Sequence, residues 1–377
     1  MENIHRLLQK VITENLTSNK VCMLLGARRV GKTVLIKEIQ KSFQGNVMYL
    51  NAEDIPTRQV LMERSIFNYQ RLLSGVDLLI IDEAQTIKDI GKILKLIADE
   101  VENIKILVTG SSAFDLLNLT GEPLTGRMKV FYLYPFSQSE LSSSENVIRI
   151  KQSLEEKLIY GVYPEVYLYN SYDEKKQYLY NLVNSYLLKD ILALDGLRNT
   201  SKMFDLLKLL SFQVGKEVVY DELAKQSQLS KNTVEKYIEL LSKAFVVFKL
   251  GGFSKNLRKE IRKANKWYFY DNGIRNTLIS NFNPLSLRTD TGELWENYII
   301  SERMKKNSYN QQNVNYYFWR TYDQQEIDFL EEYDENLKAT EIKWKSKEVK
   351  VPKAFKDAYP EAKFQVINPM NYLDWIS

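Results

Sequence analysis

The residues Gly26-Ala27-Arg28-Arg29-Val30-Gly31-Lys32-Thr33 fit the spacing G-x-x-x-x-G-K-[ST]. That spacing suits a chain of phosphates. The glycines let backbone N–H groups wrap anionic oxygens with no Cβ in the way. A helix opening at Lys32 adds partial positive charge at its N-terminus. The Lys32 ammonium would reach the β- and γ-phosphates, and the Thr33 hydroxyl would complete a Mg²⁺ shell, with Val34 next along the helix. The expected ligands are ATP or ADP with Mg²⁺, held by residues 26–34.

A second motif lies about 50 residues on. LLIIDEAQ (78–85) places Asp82 and Glu83 at the end of an apolar strand, where open α/β sheets keep their chemistry. Asp82 would hold Mg²⁺ through water, and Glu83 would polarise the attacking water. The alternative for such a pair is a helix cap. A third strand ends at Thr109-Gly110-Ser111-Ser112. One of these hydroxyls, Ser111 being the choice, would sense the γ-phosphate and orient water, unless the segment is a plain turn and N-cap. Arg127 is a candidate arginine finger, in cis or from a neighbouring subunit; its alternative is a surface or packing role.

These residues need a scaffold, and the chain supplies one. Its 377 residues allow two to four domains. One histidine (His5) and one cysteine (Cys22) exclude a His-based triad, HExxH zinc chemistry and a disulfide framework. The net charge of +4 decides nothing without clustering. No apolar run approaches the roughly 18–20 residues of a membrane span, and residues 1–16 lack a signal-like apolar core, so the expected location is cytoplasmic with no membrane partner. Apolar runs at 21–26, 46–51, 77–82 and 105–112 alternate with helical segments, the pattern of a parallel sheet covered on both faces. The fold class expected is α/β. Residues 1–145 form a P-loop ATPase sheet, 146–282 a helical and winged-helix middle, and 283–377 a small α/β domain.

In the middle, Asp221 and Ser230 read as N-caps of two successive helices, with Val234, Tyr237, Ile238 and Leu241 on a buried face. Lys231, Asn232, Thr233 and Lys236 would then face outward, as in recognition helices. Six basic residues between Lys255 and Lys266 face one acid, Glu260. Residues 231–266 are thus a candidate DNA surface, the alternative being a scaffold with a solvated face. Near the C-terminus, Gln325-Glu326-Ile327-Asp328 and Thr340-Glu341-Ile342-Lys343 suit a hairpin with Glu341 and Lys343 on one face. Asp328, Glu341 and Glu296 would hold Mg²⁺, with Lys343 stabilising charge, in the manner of a PD-(D/E)xK nuclease. The alternative is an ordinary salt bridge.

GARRVGKT, LLIIDEAQ, VTGSSAFDL, LTGRMKVFYLYPFS, YGVYPEVYL, KWYFYDNGIRNTL and GELWENYI occur in that order. In this combination the chain resembles a prokaryotic family of AAA-type P-loop ATPases with a helical and winged-helix middle and a C-terminal restriction-endonuclease-like domain. The resemblance implies ATP binding and hydrolysis, without a physiological substrate. The function expected is a Mg²⁺-dependent ATPase coupling nucleotide state to the C-terminal module, acting on DNA or a protein client. The alternative is a nucleotide-gated switch with little turnover. An oligomer is one arrangement that would bring Arg127 to a neighbouring site.

Overall fold

The computed structural model describes residues 4–111, 124–143, 146–187, 200–254, 265–334, 336–345 and 348–377. Ser112 and the basic run 255–264, both singled out above, lie outside the described residues. The described chain forms two compact units. One holds residues 4–134 and 243–245, the other the rest from Pro135 on.

The first unit is a five-stranded sheet: β1 (Val21–Leu25), β2 (Val47–Asn51), β3 (Leu78–Asp82), β4 (Lys105–Gly110) and β5 (Met128–Tyr132). Its order is β2-β3-β4-β1-β5, and every pairing is parallel. Parallel neighbours require crossovers, so helices Lys32–Ser42 and Ile90–Glu100 return the chain to the opposite edge. Strands β1 and β3 are buried along their whole length, which explains their continuous apolar runs. The sequence alternation therefore reads the first unit correctly, although β5 was not among the expected strands.

The second unit carries a mixed six-stranded sheet. Its strands are β6 (Val247–Gly252), β7 (Asn265–Phe269), β8 (Asn315–Arg320), β9 (Glu326–Tyr333), β10 (Asn336–Ile342) and β11 (Lys363–Ile367), in the order β11-β10-β9-β8-β6-β7. This sheet runs across one of the expected divisions. The β6–β7 hairpin, assigned to the middle domain, pairs through β6 with β8 of the expected C-terminal domain. The first division falls at Tyr134/Pro135 rather than at 145. The physical reason is edge pairing: the open edge of β8 is completed by β6.

The two helices expected between 220 and 243 are present, Tyr220–Ser227 and Lys231–Lys243. Ser230 caps the second, its Oγ accepting from Thr233 N–H at 3.2 Å. Asp221 is not a cap but lies in the first turn and pairs with Lys231 at 2.8 Å. Val234, Tyr237, Ile238 and Leu241 are buried as read. Lys266 is no phosphate contact: it is buried, ion-paired with Glu326 and stacked over the Phe318 ring. Among the described residues, no helix is long and apolar enough to cross a membrane.

β7 ends at Phe269, and two residues later Asp271 caps the next helix, Asn272–Leu278. Its carboxylate accepts from the N–H groups of Val162 (2.8 Å), Gly273 (2.8 Å) and Ile274 (3.3 Å). Gly161, with φ +73°, lies against that carboxylate, and a Cβ there would overlap it. Gly161→Ala is therefore expected to lower stability by about 2 kcal/mol or more, from the left-handed backbone and from displacing a buried three-bond acceptor. Urea unfolding of the two chains checks this; equal midpoints would contradict the packing described.

Candidate nucleotide site

Parallel strands all end at the same edge, and the loop 26–31 crosses that edge at the end of β1. Its backbone is unusual for a reason. Arg29 and Gly31 have positive φ (66° and 96°), which turns successive N–H groups inward. Gly26 is required by close approach: a Cβ would overlap the Leu133 carbonyl oxygen. Beside Gly31 the space is open, with no atom within 4 Å of a Cβ position. That is the clearance a phosphate needs. Lys32 is buried, and its Nζ donates to the carbonyls of Gly26 (2.9 Å) and Ala27 (3.0 Å). Arg28 is half-buried, Arg29 exposed, Ala27 and Val30 buried, and Val34 exposed.

Asp82 ends β3 as a buried carboxylate. A buried charge must be satisfied, and three hydroxyls do so. Thr33 Oγ1 donates to Asp82 Oδ2 at 2.9 Å and Tyr49 OH donates to the same oxygen at 3.0 Å. Thr109 Oγ1 donates to Oδ1 at 2.5 Å. Burial, then the Asp82 charge, holds the Tyr49 phenol well above its usual range, so Tyr49 stays a donor. Residues 32, 33 and 82 are thus brought together as the spacing predicts. A lysine, a hydroxyl and a carboxylate beside an N–H-lined turn form the donor set that Mg²⁺ with a polyphosphate requires.

Glu83 adjoins this group in left-handed geometry (φ 54°, ψ 42°), a costly backbone for a non-glycine residue. Its N–H donates to Thr109 Oγ1 at 3.0 Å. Its carboxylate accepts from Gln85 Nε2 at 2.5 Å, and the same amide donates to Ser111 Oγ at 3.1 Å. Ser111 therefore does join the site, through Gln85. Arg127 does not. It precedes β5 at the opposite edge of the sheet, where its carbonyl accepts from Val21 N–H and its guanidinium pairs with Asp99 at 3.1 Å. Five residues of strand, about 16 Å, separate Val21 from Gly26. An arginine finger in cis from this position is excluded. Tyr49 and Gln85 escaped sequence reading. Gln85 stands in DEAQ two residues after Glu83, a visible signal; Tyr49 has none, because only strand order sets β2 beside β3.

In the second unit, the hairpin reading holds. The β9–β10 register pairs Thr340 with Phe329, so Glu341 stands opposite Asp328. Lys343 Nζ lies 3.0 Å from Asp328 Oδ2 and 2.6 Å from Glu341 Oε2. The Ile342 N–H also donates to Asp328 Oδ2, at 2.8 Å. Glu296 turns instead to Tyr268, whose OH donates to it at 2.6 Å. Of the three expected metal residues, Asp328 and Glu341 meet at Lys343, and Glu296 lies near enough to Asp328 to feel its charge. Among the described residues no three His, Cys, Asp or Glu side chains are grouped to hold a metal ion. The Lys343 ammonium bridges Asp328 and Glu341. Burial, reinforced by Asp328, pushes Glu341 up to about 8 and Glu296 up to about 7.

Three family models match the chain in succession: an AAA domain over residues 18–142, a domain of unknown function (DUF8612) over 151–285, and a second domain of unknown function (DUF4143) over 291–373. An uncharacterized protein of Mycobacterium tuberculosis is 25% identical over 327 residues, covering 86% of this chain and 70% of that protein. One of Methanocaldococcus jannaschii is 23% identical over 385 residues, covering 96% and 84%. Among solved structures, a Walker-type ATPase of Pyrococcus abyssi is similar at TM-score 0.48 and 15% identity, over 74% of this chain and 96% of that one. The match over 18–142, with the parallel sheet and the loop geometry, supports an AAA-type P-loop domain that binds ATP. The model matched over 291–373 carries no nuclease assignment, and the restriction-endonuclease likeness is not confirmed by it.

The raised carboxyls give a pH dependence with a definite sign. A glutamate above its ordinary 4.5 in the folded state contributes stability that is present below 4.5 and lost as pH rises through about 7 to 8. Glu341→Gln removes its share of that slope. Wild type is thus expected to lose stability relative to Glu341→Gln between pH 5 and pH 8 in urea unfolding. A constant difference would contradict the arrangement.

Proposed function

We propose that this chain is a Mg²⁺-dependent ATPase whose nucleotide site is the loop 26–33 with Asp82 and Glu83. The observation that carries the reading is the junction of Thr33 and Asp82, 2.9 Å apart beside the open turn at Gly31. In this reading the backbone N–H groups of 27–33 hold the phosphate chain, and Lys32 leaves its two loop carbonyls for the β- and γ-phosphates. Thr33 and Asp82 hold Mg²⁺, directly and through water. Bound Mg²⁺ supplies neutralisation of the phosphate oxygens as charge shifts in phosphoryl transfer. Glu83 accepts the proton of the attacking water, and Ser111 orients that water or the γ-phosphate. The reading extends to coupling of nucleotide state to the second unit.

A second reading is a nucleotide-gated switch with little turnover. The hydrogen bond from Gln85 to the Glu83 carboxylate favours it, because a base engaged by an amide is not facing water. Turnover separates the two. For the ATPase, Lys32→Ala abolishes nucleotide binding in calorimetry. Glu83→Gln keeps binding and lowers kcat by roughly 100-fold or more, the range for loss of a general base. A wild-type chain that binds ATP with Mg²⁺ and turns over no faster than Glu83→Gln would select the switch. Absence of any nucleotide binding would overturn both.

A further inference from the structure

Asp82 is held by donors from three different elements: Thr33 from the loop helix, Thr109 from β4 and Tyr49 from β2. All three are neutral hydroxyls, so none cancels the carboxylate charge. Two of them have other duties in the nucleotide reading. Thr33 is itself a metal ligand there, and Thr109 also receives the Glu83 N–H, which ties it to the turn at the base. Tyr49 has no such second task. Its ring is half-buried on β2, two residues before the strand ends at Asn51. β2 lies beside β3 in register, Tyr49 opposite Ile80 and Asn51 opposite Asp82, and this places the phenol over the end of the neighbouring strand.

We infer that Tyr49 is the positioning residue of the metal site: its hydroxyl holds Asp82 Oδ2 aimed at the cation, and so sets the affinity for Mg²⁺ rather than for nucleotide. This rests on the nucleotide reading above. The logic is that of metal ligands in general, whose carboxylates are oriented by an outer hydrogen bond that strongly affects metal affinity. Among the described residues, Tyr49 OH donates to Asp82 and makes no hydrogen bond to the phosphate loop or to Glu83. Losing its hydroxyl leaves the phosphate cradle complete, while Asp82 keeps only Thr33 and Thr109. The carboxylate then gains freedom about its χ2 torsion, and part of its metal-bound population is lost.

The test is Tyr49→Phe, which keeps the ring and its packing. Binding of a fluorescent ADP analogue is titrated first in EDTA and then against increasing Mg²⁺, on the full chain. Nucleotide affinity in EDTA is expected to match wild type, while the Mg²⁺ concentration for half of the metal-dependent gain rises roughly 10-fold, the lower end for loss of an outer-shell partner. Mn²⁺ bound in the presence of ADP, followed by the electron paramagnetic resonance of free Mn²⁺, should weaken in parallel. Tyr49→Ala, with the ring removed as well, should match Tyr49→Phe in its Mg²⁺ requirement if the hydroxyl is what matters. Superimposable Mg²⁺ curves for wild type and Tyr49→Phe would overturn the role of Tyr49 and leave the nucleotide reading intact. A loss of affinity already present in EDTA would also overturn it, by placing Tyr49 in the nucleotide cradle. Failure of wild type to bind nucleotide with Mg²⁺ present would overturn the nucleotide reading and this inference with it.

Discussion

One buried carboxylate organises the first unit. Asp82 is taken out of water at the end of β3, and an ionised carboxyl in that position is tolerable only with donors around it. The donors are hydroxyls from three elements far apart in sequence. Meeting that demand dictates much of the architecture. The strands must be parallel, so that their carboxyl ends share one edge. β4 must lie beside β3, so that Thr109 Oγ1 joins the Asp82 carboxylate to the Glu83 N–H. β2 must flank β3, so that Tyr49 arrives from the other direction. The continuous apolar burial of β1 and β3 supplies the rigidity that keeps these groups within hydrogen-bond distance.

The second unit solves a similar problem by another route. Asp328 and Glu341 face each other across a hairpin and are bridged by a lysine from the same sheet face. There the charge is neutralised locally, and burial still lifts Glu341 and Glu296 far above ordinary glutamates. The buried Lys266 of β7 pairs with the half-buried Glu326 of β9, with β6 and β8 between the two strands. The Asp82 carboxylate is thus held by neutral hydroxyls, whereas Asp328 and Glu341 share an ammonium.

Glycines mark where backbone conformation limits substitution. Gly26 is needed because the chain after β5 passes directly over it, and Gly161 because a capping carboxylate fills the space a Cβ would take. In the first case the neighbour is a carbonyl more than a hundred residues later in the chain. No local pattern could have announced that contact, although the motif already demanded a glycine for a different reason.

Local chemistry was legible in the chain itself. The loop 26–33, the strand ending in Asp82 and Glu83, the β9–β10 hairpin and the buried face of Lys231–Lys243 all depend on spacing within a dozen or so residues, and such spacing survives folding. Contacts set by strand order did not show. Arg127 reads as a finger in cis or in trans or as a packing arginine, and only the parallel pairing of β5 sets it at the far end of the sheet, against Asp99. Lys266 reads as a surface cation, yet the sheet that β6 and β8 complete buries it against Glu326. Tyr49 carries no motif, yet its neighbour strand makes it a partner of Asp82. Periodicity and motif are properties of a segment, whereas which strand lies beside which, and so which distant side chains meet, is settled only when the whole sheet assembles.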